Sequence, residues 1–303
     1  FGAFPAFITH AHQWFIFNGR KNKSDRGKFQ VSEFSEFFPL IIIMLASGLL
    51  SGLMAGLLGI GGGIVLVPIL EFSLGFFGVE DDVRMHVAIA TSLAIIIVSS
   101  FSATRAHHRR GNVDVKILKN WAVAMFIGAA FGSWAASRLN GKSLVIIFAF
   151  LALFVAFKML IKGDTKKVRD GIPDHPAVQL MPLSIGGISS MMGIGGGVMG
   201  VSFMTLYGIP IHRAVGTAAF FGVIISIPGT ISYMLTGLSV EGLPPGNLGY
   251  VSLIGLVVIA PATYLAAPLG AKIAHSLEQK QLNLAFGLFL LIVSSQMLYR
   301  YLH

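Results

Sequence analysis

Two copies of one apolar, glycine-dense phrase, GLLGIGGGIVLVPIL at 56–70 and SMMGIGGGVMGVSFM at 190–204, lie 134 residues apart. Both interrupt stretches long enough to span a bilayer. Glycine runs form helices poorly, so each Gly-Ile-Gly-Gly-Gly is expected to break a helix at membrane depth. Irregular backbone is tolerated there only where it lines a cavity or is buried in protein. The pairing therefore points to an internally duplicated membrane protein with two such breaks.

Composition supports this reading. The chain is 54% hydrophobic and 12% charged, with 24 Phe among 303 residues and a mean hydropathy of +0.78. That is more apolar surface than one water-soluble core can hide. The net charge of +9 does not indicate nucleic acid, because the basic residues cluster between apolar spans instead of lining one face among aromatics. Cysteine is absent, which excludes disulfides, thiolate chemistry and Cys/His metal sites. No cofactor is expected.

Runs near the roughly 20 residues needed to cross hydrocarbon fall at 38–57, 85–104, 117–138, 143–161, 214–236, 247–271 and 281–302. Three shorter pieces, 60–78, 178–193 and 194–209, flank the glycine motifs. Each motif then joins two half-helices or two tightly paired helices, giving five elements per half and ten in all. The duplication extends further: the phrase His86-Val-Ala-Ile-Ala-Thr91-Ser92 aligns with His212-Arg-Ala-Val-Gly-Thr217-Ala218 at a shift of 126, and Thr104 aligns with Thr230. An odd number of elements per copy forces the second copy to be inverted relative to the first. The expected fold is an all-α polytopic membrane protein in two inverted five-element repeats with broken helices. Residues 1–37 form an N-terminal extension, 38–161 the first repeat, 162–177 a cytoplasmic linker and 178–303 the second repeat.

Lys/Arg-rich loops at Arg105–Lys119 and Lys162–Arg169 share one side, and Glu80, Asp81, Asp82 and the Glu241 loop share the other. The positive-inside bias assigns the basic side to the cytoplasm. Arg20, Lys21, Lys23, Arg26 and Lys28 run against this assignment, and residues 1–18 are expected to lie at the interface or to add a span.

Taken together, GLMAGLLGIGGGIVLVPIL, the His-x-x-x-x-Thr-Ser phrase at 86–92 and GIGGGVMGVSFMTLYGIPIHRAVGTAAF resemble the sulfite exporter TauE/SafE family over about residues 40–302. The first 37 residues fall outside the resemblance, and the loop Glu71–Val83 is longer than its counterpart. The resemblance implies transport of a small sulfur-containing anion such as sulfite, sulfoacetate or a related organosulfonate, driven by an ion gradient.

Physical chemistry agrees with an anionic cargo. A helix starting at Gly61, Gly62 and Gly63, or at Gly195, Gly196 and Gly197, aims free N–H groups and a positive dipole end at the site. Hydroxyls of Ser51, Thr91, Ser92 and Thr217 are the candidates to complete the shell around an oxyanion. The competing structural reading is that glycines let helices pack, which four-residue spacing favours for Gly48, Gly52 and Gly56 and for Gly128 and Gly132. Membrane Thr and Ser also commonly bond back to their own helix. His86 and His212, near the membrane surface, are either proton relays or simply solvated. Glu71 is either an anchor or a coupling carboxylate. Arg105 heads a basic run that anchors in lipid headgroups or draws anions to the cytoplasmic mouth.

Enzyme readings fail on context. Gly195–Gly200 matches Gly-x-Gly-x-x-Gly, but no strand precedes it and no acid follows at dinucleotide spacing. Gly141-Lys142-Ser143 resembles the end of a P-loop, yet Ala136 stands where its first glycine belongs. The expected protein is a secondary transporter of the cell inner or plasma membrane working by alternating access. The alternative is an anion channel, although the spans carry no cationic rings. Its expected partners are a small anion, membrane lipids, a coupling proton or sodium ion and further copies of the chain, with no nucleic acid.

Overall fold

In a computed structural model the described residues are 31–59, 61–160, 171–173, 175–274 and 279–302. The expected element at 1–18 and the basic cluster at 20–28 lie outside them, as does most of the linker. Ten α-helices are present among the described residues: α1 (Val31–Leu58), α2 (Gly63–Phe76), α3 (Asp81–His108), α4 (Val115–Ala136), α5 (Gly141–Leu160), α6 (Leu180–Met191), α7 (Gly197–Leu206), α8 (Ile211–Gly237), α9 (Leu253–Ile273) and α10 (Gln279–Leu302). Six of them, α1, α3, α4, α5, α8 and α9, contain stretches long and apolar enough to cross a membrane. The chain is thus an all-α polytopic membrane protein. The helix α1 starts at Val31, so residues 31–37 belong to it and not to the extension.

One expected span is shortened. Residues 247–252 are not helical but form a two-stranded hairpin pairing Asn247 with Ser252 and Leu248 with Val251. The reason is local: Pro244-Pro245-Gly246 stops a helix, and Gly246 and Gly249 take positive φ of 82° and 55°. The helix α9 begins only after Ser252, whose side chain accepts from the Gly255 N–H at 3.2 Å.

The spaced glycines set the helix pairs. Gly48, Gly52 and Gly56 of α1 meet Ile259, Thr263 and Ala267 of α9 in rising order, so the two helices run parallel with backbones nearly touching. Gly128 and Gly132 of α4 meet Leu183 and Gly187 of α6 in the same sense. At the centre α3 crosses α8 antiparallel, with Ser100 against Gly222 and Leu93 against Gly229. Exchanging α1–α5 for α6–α10 converts the α1–α9 pair into the α6–α4 pair and returns α3–α8 and α5–α10 to themselves.

Loops gather at two ends. Glu80 approaches Gly242, the Leu139 carbonyl faces His86, and Tyr250 stacks on His86, which gathers the loops bearing Glu80, Asp81, Asp82 and Glu241 at one end, the acidic end. At the other, basic end the Asp114 N–H reaches Thr217 and Asp114 pairs with Arg213. The helices α2 and α7, of 14 and 10 residues, are about 21 and 15 Å long against a hydrocarbon core of roughly 30 Å. Each glycine motif turns the chain back on itself as a helical hairpin, α1 with α2 and α6 with α7.

Candidate functional site

The tips of the two hairpins meet. A β-carbon on Gly61 would sit 3.5 Å from the Gly195 Cα, and one on Gly63 would overlap the Gly193 carbonyl oxygen. All of Gly61, Gly62, Gly63, Gly195, Gly196 and Gly197 are buried. Both half-helices start alike: the N-cap residues are Gly62 with φ 77° and Gly196 with φ 73°, and neither supplies a side-chain cap. This left-handed conformation costs an L-residue about 1–2 kcal/mol, which explains glycine at both positions. The first-turn N–H groups of α2 and α7 thus face the junction without a capping side chain.

The carbonyl side of the junction is occupied by serines. Ser51 donates to the Gly62 oxygen at 3.1 Å, Ser99 to Gly61 at 3.0 Å and Ser92 to Gly193 at 2.9 Å. Ser51 and Ser92 therefore lie at the break, as the sequence suggests, but in this state their protons are committed to backbone oxygens. Ser99 joins them without having been singled out in the sequence. Thr91 and Thr217, both fully buried, do something else. Thr91 accepts from the Ser252 N–H at 2.9 Å and Thr217 from the Asp114 N–H at 2.8 Å. Ser252 and Asp114 are the N-cap residues of α9 and α4, so each duplicated threonine clasps the start of a helix in the opposite half.

The remaining candidates spread apart. His86 is 3% exposed and is not solvated: Nδ1 lies 3.1 Å from the Asp82 oxygen and Nε2 3.0 Å from the Leu139 oxygen. His212, its counterpart in the second half, is exposed. Arg105 is exposed in the last turn of α3, whereas its neighbour His107 is buried and bonded through Nε2 to the Gly56 oxygen at 2.9 Å. Glu71 is buried near the acidic end, within 3.6 Å of Arg84 and 3.7 Å of Arg300, and it accepts from the Tyr301 hydroxyl at 3.0 Å. Arg84 also lies 2.7 Å from Asp81. Glu71 thereby ties α2, α3 and α10 together. No group of three or more His, Asp or Glu suited to a metal occurs among the described residues.

The centre is tightly closed. The void beside the second break, between Ile64, Ser189, Met192 and Gly196, measures about 10 Å³. Such a volume holds at most one water.

A bundle of helices long and apolar enough to cross a membrane, with two hairpins meeting tip to tip inside it, is that of a multi-pass membrane protein; similarity to known proteins makes it a transporter of a small molecule. The chain belongs to the sulfite exporter TauE/SafE family, whose profile matches residues 44–297. It is 33% identical over 267 residues to a probable membrane transporter protein of Haemophilus influenzae, covering 86% of this chain and 98% of that one. A probable membrane transporter protein of Methanocaldococcus jannaschii is 29% identical over 85% of this chain and 97% of its own length. The probable membrane transporter protein YunE of Bacillus subtilis is 25% identical over 85% and 97%. No solved structure matches.

Proposed function

We propose that the protein is a secondary carrier of the cell inner or plasma membrane that moves a small sulfur-containing oxyanion, sulfite or an organosulfonate, by alternating access. The observation that carries this reading is the asymmetry of the glycine junction. Gly61, Gly62 and Gly193 have their carbonyls satisfied by serine hydroxyls, while the half-helix N-termini at Gly62 and Gly196 carry no capping side chain. What is left unfilled is donor capacity at the positive ends of two dipoles, which suits an anion better than a cation. The family assignment supports the sulfur chemistry.

The two halves act as inverted repeats, and rocking one against the other exposes the junction to each face in turn. Permuted helix pairing, with α1–α9 matching α6–α4, supports this, as do hairpins entering from opposite ends. Tight closure at the centre, with a void of only about 10 Å³, favours a carrier over an open anion channel. The basic end faces the cytoplasm by the positive-inside bias. Coupling to a proton or sodium ion completes the scheme, with Glu71 or a histidine as the protonatable groups. Reconstitution in liposomes with sulfite, sulfoacetate and other organosulfonates, with and without an imposed pH gradient, tests the reading. Saturable, gradient-sensitive flux is expected. No movement of any of these anions would defeat the substrate class, and gradient-independent flux at channel rates would defeat the carrier.

A further inference from the structure

The buried hydroxyls without a hydrogen-bond partner are not scattered. They include Ser100 on α3 and Ser226, Thr230 and Tyr233 on α8. Ser226, Thr230 and Tyr233 stand at i, i+4 and i+7, which puts them on one face of α8. They are 0%, 7% and 0% exposed. Protein interiors rarely leave such groups unsatisfied, and each instance asks for an explanation.

The duplication sharpens the question. At the shift of 126 residues, Ser226, Thr230 and Tyr233 correspond to Ser100, Thr104 and His107 of α3. The same polar face is thus built twice. Because α3 and α8 cross antiparallel, the α3 copy leads from the crossing to the basic end and the α8 copy to the acidic end, where Tyr233 meets Tyr250. Their bonding differs. On α3, Thr104 donates to the Ser100 carbonyl at 2.6 Å and His107 bonds the Gly56 oxygen at 2.9 Å. On α8 all three hydroxyls lack partners. Ser100 sits at the junction itself, its Oγ 3.1 Å from a β-carbon placed on Gly61.

We infer that these two faces are the two half-routes of the anion, joined at the glycine junction, and that Ser226, Thr230 and Tyr233 form the half leading to the acidic end. This rests on the carrier reading and names the residues along which the cargo moves. The α8 stretch from 226 to 233 rises about 10 Å, a third of the hydrocarbon thickness. Hydroxyls suit this role because they donate to an oxyanion without holding it as a guanidinium would. Thr104 and His107 of the α3 half are bonded to backbone oxygens, while Ser100 and the three α8 hydroxyls keep their donors unspent.

The test exploits two facts: an unpartnered hydroxyl contributes no stability, and the chain contains no cysteine. Uptake of ³⁵S-sulfite by liposomes carrying the intact protein is compared with Ser226→Ala and Thr230→Val. Each variant should lower kcat/KM about tenfold without lowering the thermal unfolding midpoint. A fall in the midpoint together with transport means the hydroxyl is structural and overturns the inference, as does unchanged transport. In the second arm, sulfonatoethyl methanethiosulfonate should label Thr230→Cys from the acidic end, and sulfite should slow the labelling. Ile231→Cys, on an outer residue of α8 that is 50% exposed, should stay unlabelled. Labelling that sulfite leaves unchanged means water passage alone and defeats the anion route. If the unaltered protein moves sulfite but the variants behave as it does, only the route falls. If the unaltered protein moves neither sulfite nor organosulfonates, the cargo and the route fall together.

Discussion

The two halves of the molecule agree at the centre and part company at the ends. Gly62 and Gly196 cap their half-helices in the same left-handed conformation, and Thr91 and Thr217 hold the starts of α9 and α4 through equivalent bonds. At the acidic end, however, Glu71 is buried between Arg84, Arg300 and Tyr301, whereas the corresponding second-half positions are Thr205 for Glu71 and Pro210 for Arg84. The basic end relies on the pair Asp114–Arg213 at 3.0 Å, with Arg213 52% exposed. Another difference lies along α8: Pro228 stands where α3 has Ser102, which donates to the Tyr264 oxygen at 2.8 Å. Symmetry is kept at the junction of the two hairpins and lost at the ends, where each set of loops makes its own contacts.

The largest expected effect tests how equal the two caps are. Replacing Gly62 with Ala adds the left-handed penalty of about 1–2 kcal/mol and also drives the new methyl into the Ser51 carbonyl. The β-carbon of Gly196→Ala meets chiefly the Ile225 Cδ1, the tip of a movable side chain. Gly62→Ala should abolish the folded, transport-competent protein, while Gly196→Ala should fold with a lowered unfolding midpoint. Equal losses in a detergent-solubilised melt would show that the second tip is as rigid as the first.

The next effect separates the two ends. Glu71→Gln removes the carboxylate charge that faces Arg84 and Arg300 and leaves Arg84 with Asp81 and the Val79 carbonyl, which should cost about 2 kcal/mol. Asp114→Ala removes a half-exposed ion pair and the cap of α4, which together should cost about 1 kcal/mol. Chemical unfolding of both variants checks the ranking, and a smaller loss for Glu71→Gln would remove the acidic-end clasp from the comparison.

How much of this could be read from the sequence depends on the range of the signal. The glycine motifs fixed both hairpin tips, because runs of three glycines are incompatible with a continuous helix. Four-residue glycine spacing in α1 and α4 announced close backbone packing, which Gly52 against Thr263 and Gly132 against Gly187 display. A glycine run says only that the helix stops, not whether the chain continues or returns, so half-helices in line and tightly paired helices both stayed open until the fold showed the reversal. The strand pair at 247–252 was masked by the apolar run that follows it. Serine partners were harder still: Ser99 and Ser100 stand in a run with Ser102 and Thr104, Ser226 stands between isoleucines, and a hydroxyl in a membrane helix carries no local mark that separates a distant partner from one bonded back to its own helix. Extending the shift of 126 from Thr104 and Thr230 matches Ser100 to Ser226, and that is the sequence signal able to mark them. The partner of Glu71 on α10, Tyr301, is 230 residues away and beyond any local pattern.

The smallest effect is also the most direct test of symmetry. Thr91 and Thr217 each accept the N–H of an N-cap residue, and valine at either position keeps the shape while stranding that donor. Leaving a buried N–H unsatisfied costs about 1–3 kcal/mol, so Thr91→Val and Thr217→Val should lower stability by similar amounts, about 1–2 kcal/mol each. Serine should rescue both, because the hydroxyl is what matters. The two clasps lie toward opposite ends and share no partner, so the double variant should lose the sum of the single losses. An inequality between the single variants would mean that only one half needs its neighbour's clasp, and a double loss well above the sum would mean that the clasps act together. In that case the threonines would couple the two halves during transport, and the common centre, not the end clusters, would set how the repeats move.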